Sequence, residues 1–383
     1  MDERWIVADQ VFDGETLHDR TGILLAGGFV AALSPITDLP QDVQTVAING
    51  LVTPGFVDLQ VNGGGGVLFN QTPSADGIAQ IAEAHRAFGT VALMPTVITD
   101  APAVLQSAAK AALAARNTTG FAGLHIEGPH IDPQKRGTHD ARYIRPMDDA
   151  TLRIVEDLRA AGIPVMITLA PEAATFDQIA RLAAMGAIVS LGHSNCSAAD
   201  AQRAFEAGAS CVTHLFNAMS QMQGRAPGLA GAAINSDVAV GLICDSVHVA
   251  DDMIRLAIRA RPMHDLMFLV SDAMPTVGGP DHFTLYGQDI RVQDGRLINA
   301  EGNLAGAHTT MAEGVARLVQ HVGQPLETAL RMAITVPANL IKAPALRQMV
   351  GRQASDIIVM DKSLSVRGNL QEVAQTAIHN QEA

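Results

Sequence analysis

Eight short β-rich segments alternate with helical segments between residues 55 and 275, and this alternation is the strongest constraint on the fold. Alanine, leucine and isoleucine recur at intervals of three and four in the segments between them, for example at 74–88 and 151–161, which is typical of amphipathic helices. Alternating strands and helices form parallel βαβ units. Eight units whose strands are apolar throughout predict a closed (β/α)8 TIM-like barrel. The β-rich segments are 55–61, 91–97, 121–127, 165–170, 187–193, 211–216, 239–245 and 267–272.

Both ends of the chain show a different pattern, of short alternating segments. They lie at 5–8, 22–25 and 45–48 near the start and at 357–360 near the end. Such segments predict strands, and we expect both termini to build one small β-sandwich domain. The predicted division is therefore a β domain of residues 1–53 and 345–383 and a barrel domain of residues 54–344.

Charge argues against several classes of partner. The chain has 26 Lys and Arg against 39 Asp and Glu, a net charge of −13, which disfavours nucleic acids and anionic membranes as partners. An anionic ligand would need a local cluster of donors. The acidic N-terminus does not resemble a secretory signal, and three scattered cysteines are too few for a disulfide framework. We therefore expect a cytoplasmic protein with reduced cysteines.

Ionisable residues fall at the ends of four predicted strands. Glu127 ends the third strand, His193 ends the fifth, His214 lies within the sixth, and Asp272 ends the eighth. Strand ends of this kind share one face of a parallel barrel, so the four side chains should converge there. Two imidazoles and a carboxylate can hold a catalytic zinc ion with an open position. Asp272 could be a fourth ligand, a hydrogen-bond partner of a ligand or a general base.

Five motifs in this order carry a family resemblance. The chain resembles the N-acetylglucosamine-6-phosphate deacetylases of the amidohydrolase superfamily, from PGFVD at 54–58 to DIIV at 356–359. This resemblance implies hydrolysis of a linear amide, that of N-acetyl-D-glucosamine 6-phosphate, to D-glucosamine 6-phosphate and acetate in amino-sugar catabolism or recycling. The motifs are HIEGPH at 125–130, LGHSN at 191–195, THLFNAM at 213–219, GRAPG at 224–228 and SDA at 271–273.

The segment after the first barrel strand bears on the number of metal ions. Most amidohydrolases have His-x-His there, whereas this chain has Gln60 and Asn62. Amides are poor ligands for zinc and similar metals, so we expect this second-metal position to be vacant. Segment 165–172 also lacks a lysine that could be carbamylated to bridge two metals. We predict one divalent ion per subunit, with zinc as first choice and ferrous iron as the alternative.

The resemblance implies roles for five further residues. His139 falls where the family places an imidazole that polarises the acetamide carbonyl. Arg225 and His248 fall where it binds the sugar phosphate, for which a guanidinium is well shaped. Asn217 and Ala218 fall where it contacts the same part of the ligand, partly through the backbone. Family members commonly form homodimers in which a neighbouring subunit helps to close the phosphate site, and we expect a homodimer here.

Some features leave alternatives open. Ala307 and His308 depart from the family pattern, which has serine followed by a small or apolar residue, so they are candidate pocket residues. No motif distinguishes the substrate from its galacto epimer, N-acetylgalactosamine 6-phosphate. A third alternative is a non-catalytic sugar-phosphate-binding protein on the same barrel. Histidines away from the strand ends, such as His85, are expected to be solvated or on helix surfaces.

Overall fold

The computed structural model describes residues 3–40, 42–299, 302 and 304–382. The chain begins with four strands that belong to a peripheral sheet. Strand β1 pairs antiparallel with β2 and parallel with β4, and β2 pairs antiparallel with β3. These strands are β1 (Arg4–Phe12), β2 (Leu17–Ala26), β3 (Phe29–Pro35) and β4 (Thr45–Pro54).

The central unit is an eight-stranded parallel sheet that follows directly after β4. Its strands are buried on both faces, as expected for a parallel sheet covered by helices. A parallel bridge between Val61 and Ala273 joins the last barrel segment to the first, so the sheet closes on itself. A separate short hairpin, β6 (Gly63–Gly64) and β7 (Val67–Leu68), follows the first strand of this sheet in the chain. The eight strands of the sheet are β5 (Phe56–Val61), β8 (Thr90–Ile98), β9 (Leu124–Glu127), β10 (Val165–Leu169), β11 (Ile188–Leu191), β12 (Cys211–Val212), β13 (Ala239–Leu242) and β14 (Met267–Leu269).

Helices surround this sheet, and several begin at a side chain that caps them. Ser74, Asp148 and Ser197 each accept a hydrogen bond from a backbone N–H of the first turn, and Thr175 forms a full capping box with Gln178. These helices are α1 (Ala75–Arg86), α2 (Pro102–Ala114), α3 (Asp149–Ala160), α4 (Phe176–Ala184), α5 (Ala198–Glu206), α6 (Gly228–Ile234) and α7 (Asp251–Ala260).

A small antiparallel sheet follows β14, and nothing in the sequence pattern had predicted it. Its apolar side chains pack with Ile98 and Met274 near the carboxyl ends of the barrel strands. The insertion therefore lies close to the face on which the candidate site residues were predicted. Its strands are β15 (His282–Leu285), β16 (Gln288–Gln293) and β17 (Arg296–Ile298).

The last part of the chain completes both units. Strands β18 and β19 join the peripheral sheet, in which β18 pairs antiparallel with β4. Its described strands form one sheet in the order β19-β18-β4-β1-β2-β3, and Leu370 and Ala374 of the C-terminal helix pack against it. These elements are α8 (Met311–Arg317), a π-helix (Leu318–Val322), α9 (Leu326–Leu330), a π-helix (Arg331–Thr335), α10 (Val336–Leu340), β18 (Ile357–Met360), β19 (Val366–Asn369) and α11 (Leu370–Glu382).

The predicted (β/α)8 barrel with a separate small β domain built from both termini is confirmed, but the described strands of that domain form one six-stranded sheet packed against α11 rather than the two sheets of a sandwich. The domain boundaries at 53/54 and 344/345 stay a prediction. The sixth strand is shorter than predicted, because the backbone turns into the left-handed region at His214 (φ 29°) and Phe216 (φ 74°) after Val212. Among the described residues, no helix combines the length and apolar character needed to cross a membrane.

The expectation that His85 is solvated is wrong. The side chain lies on the inner face of α1, is 1% exposed, and its Nε2 lies 2.9 Å from the carbonyl oxygen of Gly63. Burial lowers the pKa of this imidazole. The ring packs closely on the β6–β7 hairpin, since a Cβ atom on Gly64 would lie 2.7 Å from the ring.

Candidate active site

Glu127, His193 and His214 bring three donor atoms together at the mouth of the barrel. Nε2 of His193 and Nε2 of His214 each lie 3.1 Å from Oε1 of Glu127, and they lie 3.1 Å from each other. Ligand atoms about 2 Å from one ion lie roughly 3 Å apart, so this set fits a single metal ion. Nδ1 of His193 donates a hydrogen bond to the carbonyl oxygen of Lys135 at 2.9 Å, so Nε2 is the ring nitrogen that faces the cluster.

A second set of three residues overlaps with the first. His139 also offers a ring nitrogen within 4.8 Å of ligand atoms of Glu127 and His193. The first set has the shorter distances, and Nδ1 of His139 is 2.7 Å from the hydroxyl oxygen of Thr99. His139 therefore lies beside the more compact set of Glu127, His193 and His214.

The backbone is strained at three of the four strand-end residues. The φ angles of His193, His214 and Asp272 are 47°, 29° and 52°, in the left-handed region that residues with a side chain rarely adopt. Each such residue costs about 1–3 kcal/mol and persists only where surrounding structure holds it. The chain leaves the strand at these residues, and the cost is typical of functional sites.

Burial and charge give the two carboxylates different pKa values. Burial acts to raise the pKa of Glu127, but hydrogen bonds from His193 and His214 outweigh it and hold the pKa well below its usual range. Burial, assisted by the charge of Glu127, raises the pKa of Asp272 to about 6. Glu127 is therefore ionised, as a ligand must be, while Asp272 titrates near neutrality, which suits a group that takes and returns a proton.

Amide groups link these two carboxylates where a second metal ion would lie in a two-metal site. Nε2 of Gln60 donates to Oε1 of Glu127 and Oδ1 of Asp272, both at 3.1 Å. Nδ2 of Asn62 donates to Oδ1 of Asp272 at 2.7 Å. The N–H groups thus stabilise the paired negative charges in the role that a second cation would take.

A cavity of about 190 Å³ joins this centre to part of the predicted substrate site. His139, Asn217, Ala218 and His248 line it together with the metal set and Asp272. Arg225 is exposed and is not among the described residues that line the cavity.

The structure does not bring the candidate pocket residues Ala307 and His308 into the lining of this cavity. Ala307 is buried and forms a bridge with Ala273, and Nδ1 of His308 lies 2.8 Å from the hydroxyl oxygen of Thr276. His308 borders a different cavity, of about 290 Å³. The two residues at which the sequence departs from the family pattern therefore lie beside the candidate site and do not line its cavity.

Sequence reasoning missed several polar residues that support the site. Thr99 holds His139, and the Tyr286 hydroxyl donates to the carbonyl oxygen of Thr99. Asp58 accepts hydrogen bonds from the backbone N–H groups of Gln60 and Ser271, and burial raises its pKa to about 7. The strand-end pattern that selected Glu127 could have found Thr99, which follows β8. No signal pointed to Tyr286.

Comparisons with known proteins agree with the geometry. No family model matches the chain. A curated N-acetylgalactosamine-6-phosphate deacetylase of Shewanella sp. (strain ANA-3) is 39% identical over 319 residues, covering 82% of this chain and 80% of the relative. A curated N-acetylglucosamine-6-phosphate deacetylase of Haemophilus influenzae is 34% identical over 327 residues, covering 83% of this chain and 84% of the relative.

Solved structures show the same similarity. The N-acetylglucosamine-6-phosphate deacetylase of Pasteurella multocida superposes with a TM-score of 0.88 at 34% identity, covering 96% of this chain and 98% of that chain. An enamidase of the amidohydrolase superfamily shares the fold, with a TM-score of 0.58 at 14% identity.

With these relatives, the barrel, the cluster of Glu127, His193 and His214 and the neighbouring carboxylate define a metal-dependent hydrolase that acts on an amide. The relatives narrow this class. The chain belongs to the N-acetylglucosamine-6-phosphate deacetylase family.

Proposed function

We propose that this enzyme hydrolyses the acetamide of N-acetyl-D-glucosamine 6-phosphate to D-glucosamine 6-phosphate and acetate, in amino-sugar catabolism or recycling. The observation that carries the proposal is the cavity in which Glu127, His193 and His214 lie beside Asp272. The names of the Haemophilus and Pasteurella relatives support this substrate. The second candidate is the galacto epimer, which the 39% identical Shewanella relative favours.

The proposed cofactor is one divalent ion per subunit, held by Glu127, His193 and His214. Zinc is the first choice because two imidazoles and a carboxylate suit it, and ferrous iron is the alternative. When bound, the ion would supply Lewis acidity that lowers the pKa of a water molecule toward neutrality. The amides of Gln60 and Asn62, which already satisfy Asp272 and Glu127, support a single ion.

Asp272 is the proposed general base and then general acid. Its Oδ1 accepts from the amides of Gln60 and Asn62, and Oδ2 has no hydrogen bond from the described residues. Oδ2 would take the proton of the attacking water and deliver it to the nitrogen of the departing amine. The amine then leaves as a neutral group, which the C–N cleavage requires.

His139 is proposed to stabilise the negative charge that develops on the carbonyl oxygen. Burial, assisted by the charge of His193, lowers the pKa of His139 to about 3, so the ring is neutral and donates a hydrogen bond rather than a charge. The hydroxyl of Thr99 holds one ring nitrogen and leaves the other for the substrate. Because the ring is already held in place, this donor does not have to reorient when negative charge forms on the carbonyl oxygen.

The phosphate is proposed to bind at the other end of the cavity, near His248, Asn217 and Ala218. Binding of the phosphate there would orient the amide of the substrate over the metal centre. Arg225 is exposed on the loop that precedes α6 and lies outside the described lining of the cavity, so its phosphate contact stays a prediction. The three cysteines are free and buried, which suits the proposed cytoplasmic location.

The test is acetate release from N-acetylglucosamine 6-phosphate and from its galacto epimer, with protein stripped of metal and refilled with zinc or ferrous iron. The proposal expects metal-dependent release with a preference for the gluco epimer. A strong preference for the galacto epimer would replace the substrate and keep the mechanism. No release from either sugar would favour the sugar-phosphate-binding alternative, against which the intact set of Glu127, His193, His214 and Asp272 speaks.

A further inference from the structure

Asp245 closes a tight loop around the residue that borders the phosphate end of the cavity. It follows β13, and its Oδ1 accepts the backbone N–H groups of Val247 and His248, both at 2.9 Å. Its Oδ2 lies 2.6 Å from Nδ1 of His248. The two side chains are 9% and 10% exposed, so water competes weakly with this contact. A charge-assisted hydrogen bond this short and this well shielded is among the stronger kinds in proteins.

This contact decides which part of His248 the cavity meets. Because Nδ1 faces the carboxylate, Nε2 is the ring nitrogen left for a ligand, and His248 lines the cavity beside Asn217 and Ala218. The loop reaches this arrangement through Ser246, whose φ of 66° lies in the left-handed region. Strain of this kind persists where surrounding contacts hold it, here the three hydrogen bonds to Asp245.

The charge of the cavity makes the contact important for an anionic ligand. Its described lining contains the carboxylates of Glu127 and Asp272 but no Lys or Arg side chain. A neutral imidazole whose proton is on Nδ1 would present a lone pair to a phosphate oxygen. Asp245 at Nδ1 leaves Nε2 directed at the cavity, and with a phosphate bound there the ring would donate to one anion from each nitrogen, an arrangement that the carboxylate of Asp245 would stabilise.

We propose that Asp245 is a positioning residue that orients His248 and provides its Nε2–H as the donor for the anionic group of the substrate. The inference rests on the proposed function, in which His248 meets the phosphate. It assigns Asp245 no contact with the substrate. Asp245 also borders a second cavity, with Glu313 and Arg317, so a role confined to holding the loop is the competing explanation.

The experiment compares Asp245→Asn with a matched control in the metal-loaded enzyme. The asparagine keeps an oxygen for the two backbone N–H groups and loses the charge that faces His248. The control is Asp251→Asn, which removes a nearby carboxylate paired with Arg317. Steady-state kinetics use the phosphorylated sugar that the enzyme prefers and the same sugar without phosphate. Calorimetry measures the binding of inorganic phosphate to the same proteins.

The inference expects Asp245→Asn to raise KM for the phosphorylated sugar and the Kd for inorganic phosphate by about tenfold, with kcat within about twofold. Turnover of the unphosphorylated sugar should stay unchanged, and the control should match the parent enzyme. Combined with His248→Gln, Asp245→Asn should add nothing, because both changes remove one interaction. Equal losses with both sugars, or additive effects in the double variant, would overturn the inference in favour of a structural role.

Failure of the inference and failure of the proposed function give different results. Absence of turnover with both sugar phosphates overturns the proposed function, while weaker phosphate binding in Asp245→Asn alone still supports the inference. Unchanged phosphate binding in His248→Gln overturns the inference together with the phosphate role of His248, and leaves the deacetylation chemistry standing.

Discussion

The two ends of the candidate active-site cavity are built differently. At the metal end, Glu127 is the last residue of β9, His193 and His214 lie two residues beyond β11 and β12, and the donor atoms of these three buried side chains are 3.1 Å apart. At the other end, where the phosphate is proposed to bind, Asn217, Ala218 and His248 lie on loops, and no Lys or Arg is among the described lining residues.

From this difference we expect the metal end to carry the chemical step and the phosphate end to carry substrate recognition. Strand pairing holds Glu127 and the strand ends directly before His193 and His214, whereas longer loops on the same barrel can change without disturbing the strands. Relatives at 39% and 34% identity are named for two epimeric substrates. Changes at the metal end should therefore affect kcat and metal content, and changes at the phosphate end should affect KM.

The largest effect is expected from loss of a metal ligand. His214→Asn should lower metal content and reduce activity by about a thousandfold or more, because the remaining two side chains hold an ion poorly. Elemental analysis and acetate release measure both. The matched control is His308→Asn, whose ring lies outside this cavity and which should keep metal and activity. Full metal content in His214→Asn would remove this residue from the ligand set.

Loss of the proton carrier should come next. Asp272→Asn should keep its metal and lower kcat by about 10²–10⁴-fold, because the water would lose its base and the amine its acid. Single-turnover acetate release with measured metal content checks this. Unchanged turnover would show that Asp272 is not the acid–base group.

His139→Gln should lower kcat by about 10²–10³-fold, with a small change in KM, because the lost donor acts on charge that develops in the transition state. Thr99→Val should change kcat in the same direction by less, since it frees the ring rather than removing it. A rise in KM alone in both variants would place His139 at the recognition end and weaken the contrast between the two ends.

The carboxylates of the metal end should also affect how the free energy of unfolding depends on pH. Burial and the charge of Glu127 raise the pKa of Asp272 from 3.8 to about 6 in the metal-free protein. Because the pKa of this carboxyl group is higher in the folded than in the unfolded protein, its protonation favours folding. The resulting stability is fully present below the unfolded-state pKa and is lost as pH rises through the folded-state pKa. Metal-free parent protein should therefore lose up to about 3 kcal/mol relative to Asp272→Asn as pH rises from about 4 to above 6.

Urea unfolding of both metal-free proteins at a series of pH values measures this difference. The comparison between the two proteins cancels the titration of shared groups that lie far from Asp272. A difference that stays constant, or that grows in favour of the parent protein as pH rises, would contradict the raised pKa.

The smallest effect is expected at the phosphate end. Arg225→Gln should raise KM for the phosphorylated sugar by about tenfold, leave kcat nearly unchanged and leave the unphosphorylated sugar unaffected, because it removes one charged donor. In the proposed homodimer, dilution below the dimer dissociation constant should mimic this rise, which kinetics and sedimentation can follow together. A normal KM in Arg225→Gln would show that this exposed arginine does not serve the site.

Much of the metal end could be predicted from the sequence. The alternation of strands and helices set the barrel, and the position of a polar residue at a strand end was enough to select Glu127, His193, His214 and Asp272. Their roles stay a proposal, but the structure brings all four together. Gln60 and Asn62 were found because amides stand where the superfamily usually has imidazoles.

The partners of these residues could not be predicted in the same way. Tyr286 reaches Thr99 across 187 positions of the chain, from a small sheet that no sequence pattern indicated. His85 was expected in solvent and is buried against Gly63. Nothing in the sequence distinguished Arg225, which is exposed, from His248, which lines the cavity.

By itself the sequence determined the barrel, the face on which the chemistry lies and the residue types available there, because strand periodicity and strand ends are local properties of the chain. Only the tertiary structure decided which polar groups pair, which carboxylate is ionised and which is poised near neutrality. Those properties depend on burial and on distances between residues far apart in the chain, and a hydrogen bond or a desolvation cost exists only once packing has set those distances.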